Sequence, residues 1–472
     1  MELVGKPQLL FLDEPTSGLD AQSSYNIIRF IRKLADSGWP VLCTIHQPSA
    51  ILFEHFDHLL LLVRGGRTAY YGEIGQDSAT MIRYFESNGG PQCAPEANPA
   101  EYILECVGAG TTGKVKADWA EIWERSTEAK RLEEELEEIH LKSNTSPTRE
   151  AKMYATPLST QFRLVYQRIA LAYWRSPDYN LGRFMNVMFT ALITGFTYWK
   201  LGNSSSDLLN KVFALFGTFI MAMTLIILSQ PKFMTEREYF RREYASRYYH
   251  WLPWGVSALL AELPYVFFFS ACFMFGFYWT SGMNPSSEAA GYFYITFSVL
   301  VCWAISLGFV IAAFSESPLM AAVINPLVMS VLILFAGLMQ SPWQMPRFWS
   351  AWMYWLDPFH YYIEGLAVNE LDGLNVVCDQ QDLIVFRAPE NTTCAEYTLA
   401  YFASGAPGYL DHPQTTSECR YCPFKSGREF YSTRFGWDVK HKWRNLAILV
   451  AFFVFNCLVF LTFVYLRRKP RR

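Results

Sequence analysis

Charge is scarce in this chain: 18% of its 472 residues are Asp, Glu, Lys or Arg, against about 25% in an average soluble domain. Hydrophobic residues make up 51% and aromatic residues 17%, which places most of the molecule in a membrane. A formal net charge of −3 leaves no basic surplus for nucleic acid, so none is expected as a partner. From Val212 to Leu228 there is no charged side chain at all, which argues against buried core helices of a large soluble protein. The first residues do not read as a secretory leader, so the first apolar span is expected to serve as the targeting signal. Cysteine is sparse, at ten residues, and four of these fall in one segment near the C-terminus.

Six long apolar stretches are present instead, at 181–200, 209–230, 255–279, 291–314, 319–340 and 445–466. Each is near the roughly 20 residues that cross a hydrocarbon core. The loop after the second carries Arg237, Arg241, Arg242 and Arg247, and the chain ends in Arg467, Arg468, Lys469, Arg471 and Arg472, whereas the loop after the third has no Lys or Arg. The positive-inside rule then makes the N-terminal segment, the second loop and the tail cytoplasmic. The basic tail reads as a membrane anchor.

On this topology the segment from Ser341 to Arg444 faces outside. It holds Cys378, Cys394, Cys419 and Cys422 and an acceptor sequon at Asn391-Thr392-Thr393. Four cysteines suggest two disulfides, with three pairings open. A zinc half-site at Cys419-x-x-Cys422 lacks a second ligand pair. Trp343 to Tyr362 is dense in Trp and Tyr, as interfacial belts are.

Two elements are candidates to join the cytosolic and membrane parts. Leu158, Phe162, Val165, Tyr166, Ile169, Ala172 and Tyr173 recur at helical spacing and predict an amphipathic helix, either on the membrane surface or packed on the cytosolic domain. Thr235 to Glu243 (TEREYFRRE) is a charged cytoplasmic segment, either a helix that couples the two parts or a solvated loop. The acidic run Glu133 to Glu138 reads as the exposed face of a linker helix. Within the spans, Glu262 with Pro264 and the pair Asn325-Pro326 stand out, and a structural role is favoured for Glu262. Phe267 to Phe269 and Phe275 to Tyr278 either line a path for apolar compounds or face lipid.

The most specific chemistry lies near the start, in LLFLDEPTSGLD. Leu9 to Leu12 read as a short buried strand with Asp13 and Glu14 at its C-terminal end, where open α/β sheets place ligand chemistry. An Asp there suits Mg²⁺, through a water, and the next acid suits a water attacking a γ-phosphate. Pro15 to Gly18 form a turn, and Asp20 is placed to cap a helix from Ala21. A second strand, Val41 to Ile45, ends in His46-Gln47-Pro48-Ser49, with the histidine within reach of the same phosphate edge. An ordinary strand-to-turn connection and a capping histidine are the plain alternatives.

A phosphate-cradling GxxxxGK[ST] loop is absent. Gly108 to Val115 (GAGTTGKV) matches its spacing until Val115 replaces the Ser or Thr that would ligate Mg²⁺. It also follows a predicted helix, Pro99 to Val107, instead of a strand, so its glycines read as a flexible connection.

LDEPTSGLD followed by TIHQPSA resembles the Walker B, D-loop and H-loop of an ABC transporter ATPase. KLADSG ahead of the histidine strand is similar to the fungal pleiotropic drug resistance (PDR/CDR, ABCG-type) group, and the resemblance covers the whole chain. It implies that Asp13 holds Mg²⁺, Glu14 is the catalytic glutamate, Ser17, Gly18 and Asp20 belong to the D-loop, His46 senses the γ-phosphate and Gln47 lies at the nucleotide. The implied fold is a partial α/β ABC ATPase domain, lacking the P-loop and signature loop, followed by an all-α six-span membrane domain with an outer disulfide-containing loop.

The expected domains are 1–110, the C-terminal part of a nucleotide-binding domain; 111–157, a cytosolic linker; and 158–176, an amphipathic connecting helix. Spans 1–5 follow at 177–340, an extracellular loop with a re-entrant segment at 341–444, and span 6 with the basic tail at 445–472. In that group the second nucleotide-binding domain keeps the active pattern, so the chain is expected to be the C-terminal half of an exporter, with Met1 an internal methionine. Expected cofactors are ATP and Mg²⁺. Expected partners are a missing N-terminal half with the first nucleotide-binding domain, the lipid bilayer of the plasma membrane and hydrophobic small molecules. A truncated, non-catalytic membrane fragment or partner subunit is the alternative, and an ion-driven carrier is disfavoured by the few polar residues inside the spans beyond Glu262.

Overall fold

The computed structural model describes residues 9–109, 117–145, 153–154 and 156–468. Most of the Gly108–Val115 stretch, and the tail from Lys469, lie outside the described residues. The chain divides into two units, Met1–Ala151 and Lys152–Arg472, each with its own packing.

In the first unit, β1 (Leu10–Asp13) and β2 (Val41–Thr44) pair in parallel, with Leu10 opposite Val41 and Asp13 opposite Thr44. α1 (Ala21–Asp36) makes the crossover. Ile28 and Ile31 are buried with Leu52, which belongs to α2 (Ala50–Phe53). A hairpin of β3 (His58–Val63) and β4 (Arg67–Glu73) follows, turning through Gly65 and Gly66 at φ of 90° and 76°. Four helices complete the unit: α3 (Ala79–Ser87), α4 (Pro99–Cys106), α5 (Trp119–Arg125) and α6 (Thr127–Thr145). Their core is aromatic, with Tyr70, Tyr84, Phe85, Trp119 and Trp123 in mutual ring contact. Glu133 to Glu138 lie exposed along α6, as the sequence predicts.

The second unit is mostly helical. α7 (Leu158–Trp174) and α8 (Pro177–Thr197) lead into α9 (Ser205–Ala245), α10 (Trp251–Phe277), α11 (Ser287–Phe314) and α12 (Pro318–Phe335). The short α13 (Arg347–Ser350) and α14 (Met353–Leu356) precede α15 (Pro358–Leu371), which is buried along its whole length. Next come α16 (Cys394–Ala403), α17 (Gly427–Phe435) and α18 (Lys442–Leu466). A small antiparallel sheet of β5 (Ile384–Phe386), β6 (Tyr409–Leu410) and β7 (Cys419–Cys422), in the order β5-β7-β6, sits among them. α11 is central and packs against α9, α10, α15 and α18.

Five helices among the described residues are long and apolar enough to cross a membrane: Ser205–Ala245, Trp251–Phe277, Ser287–Phe314, Pro318–Phe335 and Val439–Leu466. The expected first span, 181–200, corresponds to α8, which is not among them. α8 is a helix of 21 residues, but Asp178, Asn180, Arg183 and Asn186 dilute its apolar character.

The charged segment Thr235 to Glu243 is the continuation of α9, a single helix of 41 residues with Pro231 inside it. It is helical throughout, and Arg237 is buried on it: its guanidinium donates to the carbonyls of Ala312 and Ser315 at 2.6 and 2.7 Å, at the C-terminal end of α11, while its Nε is buried without a hydrogen bond. α7 is helical where the periodicity predicts it, with Gln161, Val165, Ile169 and Tyr173 buried and α10 packed against it.

Candidate functional site

Asp13 is the last residue of β1, and the parallel register sets it beside Thr44. The Thr44 hydroxyl donates to Asp13 Oδ1 at 2.7 Å, and the Glu14 N–H donates to the same hydroxyl oxygen at 2.9 Å. One hydroxyl therefore fixes both acids. Glu14 holds a φ of +46°, a left-handed conformation that is uncommon for a residue with a side chain. It turns the chain sharply out of the strand, and Ser17 N–H closes the turn on the Glu14 carbonyl at 3.0 Å.

Gly18 follows at φ +75°. Asp20 then caps α1, accepting from Ser23 N–H at 3.2 Å, and Ser23 holds its carboxyl below the usual range. Asp13, Glu14, Ser17, Gly18 and Asp20 are all exposed.

β2 ends at Thr44, so His46 and Gln47 leave the sheet at the end where Glu14 leaves it. Gln47 also has a φ of +46°. The next residue is pinned, since the Pro48 carbonyl accepts from the Asn98 side chain at the start of α4, at 3.0 Å. His46 and Gln47 are exposed, with the acids of the neighbouring strand end.

The strand pairing thus brings the two predicted motifs together. Thr44 is the residue that sequence reading missed. Its signal was a hydroxyl at the end of the second strand, but only the register shows it opposite Asp13. Among the described residues no group of three or more His, Cys, Asp or Glu side chains is arranged to hold a metal. A cation at Asp13 would take its other ligands from water and phosphate, which suits Mg²⁺.

In the second unit, Glu262 of α10 is 2% exposed and accepts from Arg183 of α8 at 2.8 Å and from the Tyr179 hydroxyl at 2.5 Å. The guanidinium also lies 4.6 Å from the Tyr179 ring centroid and 5.2 Å from that of Phe269. The acid is satisfied by protein partners, as a structural role requires. Asn325 and Gln230 exchange two hydrogen bonds of 2.9 Å between α12 and α9. Arg168 of α7 pairs with Glu243 of α9, which also accepts from the Tyr249 hydroxyl.

Cys378 is bonded to Cys422, and Cys394 to Cys419. Cys419 and Cys422 therefore belong to two different disulfides and not to a zinc half-site. Asn391 of the sequon is exposed, in a turn at φ +64°.

Residues 160–371 match a family described as ABC-2 type transporter, residues 423–471 one described as CDR ABC transporter, and residues 46–111 a further ABC-2 type transporter family. ABC transporter G family member 9 of Dictyostelium discoideum is 43% identical over 478 residues, covering 100% of this chain and 33% of that protein. Member 14 of the same organism is 42% identical over 485 residues, with the same coverage. ABC multidrug transporter I of Aspergillus fumigatus is 40% identical over 467 residues, covering 97% of this chain and 31% of that protein. The chain spans about a third of the length of the curated relatives it matches.

Proposed function

Because this chain belongs to the ABC-2 type and CDR ABC transporters, and is an integral membrane protein of transport, we propose that it is the C-terminal half of an ATP-driven exporter of hydrophobic compounds. The proposed division is a partial nucleotide-binding domain at 1–110, a linker at 111–157 and a connecting helix at 158–176. Five spans at 177–340 follow, counting α8 as the first, then an outer segment at 341–444 and the sixth span at 445–472. The termini are cytoplasmic and the membrane is the plasma membrane. The name of the Aspergillus relative supports drugs as cargo.

The observation that carries the ATPase reading is the shared tether of Asp13 and Glu14 on Thr44. In this reading Asp13 holds Mg²⁺ through water, and the cation supplies charge neutralisation at the phosphates. Glu14 polarises the attacking water. His46 senses the γ-phosphate, Gln47 lies at the nucleotide, and Ser17, Gly18 and Asp20 communicate across the nucleotide-bound dimer. The phosphate cradle comes from the N-terminal half or from sequence outside these residues.

Glu14→Gln, built into a polypeptide that also supplies the phosphate loop, is expected to abolish ATP turnover while expression is kept. Turnover at the unsubstituted rate overturns the assignment of Glu14. A second reading is a truncated, non-catalytic membrane fragment or a partner subunit without ATPase activity. It predicts no ATP-dependent transport with Glu14 intact.

A further inference from the structure

Between α7, α8 and α10 lies an open groove of about 890 Å³. Its walls are built from the rings of Tyr166, Trp174, Phe184, Tyr265, Phe268 and Phe269, with alanine, leucine and proline between them. The rings are held by one another: Phe184 stacks on Phe268 with centroids 6.3 Å apart, and Tyr265 lies tilted against Phe269 at 6.2 Å. Around the opening, Leu181, Phe268 and Trp174 are 54%, 57% and 76% exposed. On an integral membrane protein, apolar side chains that open are the ones that meet lipid.

Two further observations narrow the occupant. First, none of the lining residues is charged. The charges behind the wall, Arg183 and Glu262, neutralise each other at 2.8 Å. A phosphate or carboxylate head would find no cation in the groove, and an amine would find no acid, so a charged amphiphile is disfavoured by desolvation. Second, the groove has one polar end. The Asn180 amide nitrogen is committed to the Tyr173 carbonyl at 2.7 Å, while Asn180 Oδ1 is buried with no hydrogen bond of good geometry and has the Tyr265 side chain beside it. A single hydroxyl, donor and acceptor at once, suits that end.

We propose that this groove binds a neutral membrane lipid with a hydroxyl head, its apolar body lying against the aromatic rings and its hydroxyl at the Asn180–Tyr265 end. The site rests on the membrane placement of the second unit and not on the ATPase reading.

The test is photolabelling of the purified full-length protein, in vesicles of zwitterionic phospholipid, with a long-chain alcohol carrying a diazirine in its chain. The fatty acid of the same chain length is the charged comparison. Label from the alcohol is expected to concentrate on peptides spanning 166–184 and 261–269, and to be competed away by unlabelled alcohol. The fatty acid, and the alcohol on Asn180→Leu, are each expected to label about tenfold less, the equivalent of one lost polar interaction. Ala170→Trp fills the groove and is expected to remove most of the label. Even labelling along all lipid-facing helices, equal labelling by the fatty acid, or failure of the unlabelled alcohol to compete overturns the site. The last two need only the unmodified protein, so they decide the matter even if Ala170→Trp does not fold.

Discussion

Thr44→Val removes the hydroxyl that Asp13 and Glu14 share and keeps a β-branched residue in the strand. In a complete transporter, ATP turnover is expected to fall about tenfold or more, the equivalent of one charge-assisted hydrogen bond, while Thr44→Ser retains most of it. Phosphate-release assays at saturating ATP check this, and equal rates for the Val and Ser variants would sink it. Glu262→Leu strands the Arg183 charge, which is 1% exposed. Breaking such a pair costs about 3–5 kcal/mol, whereas replacing both partners with apolar residues restores most of that. Thermal unfolding in detergent is expected to rank Glu262→Leu well below both wild type and the Arg183→Met/Glu262→Leu double variant. The acids and His46 were legible because they stand at the ends of readable apolar runs. Thr44 and Arg183 were not, since each acquires its role from a partner across a register or a helix interface. Composition carries no trace of which of the many arginines faces Glu262.

Elements with a strong local signal were read to within a residue or two. β1 runs Leu10–Asp13 where Leu9 to Leu12 is predicted, and α4 runs Pro99–Cys106 for Pro99 to Val107. For the segment Thr235 to Glu243 charge alone leaves helix and solvated loop open, and the helix goes with the burial of Arg237 against the end of α11, which is a tertiary fact. The segment 341–444 holds two disulfides whose pairing no spacing rule could choose. α15 and α17 are joined there by Asp372, the C-cap of α15, which accepts from Arg428 at 3.0 Å and from the Tyr431 hydroxyl at 2.9 Å. Burial pushes the Asp372 carboxyl up, but Arg428 and Tyr431 outweigh it and leave it below the ordinary value of 3.8. A depressed folded value means the stabilisation is complete above 3.8 and fades as pH falls through that lower value. The protection of amides at the ends of α15 and α17, taken relative to their intrinsic exchange rate at each pH, is expected to fall selectively below about pH 4, and Asp372→Asn to remove that dependence. Protection in the unsubstituted protein that stays constant across this range would refute it.

For the whole molecule, the membrane character and the family were visible in composition and in two short motifs, whereas the span count rests on α8. If α8 crosses the bilayer, five crossings separate Asn391 from a cytoplasmic N-terminal segment and put it outside. Glycosidase treatment of the protein expressed in a eukaryotic host is expected to shift its mobility, and Asn391→Gln to abolish the shift. No shift in either protein argues for a different topology. α9 has a consequence of its own at this scale. Its 41 residues measure about 62 Å, some twice the roughly 30 Å hydrocarbon thickness. Pro231 interrupts its hydrogen-bond ladder. From Pro231 to Ala245 the helix forms an arm of about 21 Å, and a bend of about ten degrees at the proline swings its tip by about 4 Å. Arg237 and Glu243, held by α11 and α7, lie on that arm, so a displacement of this size at its tip would reach both neighbouring helices.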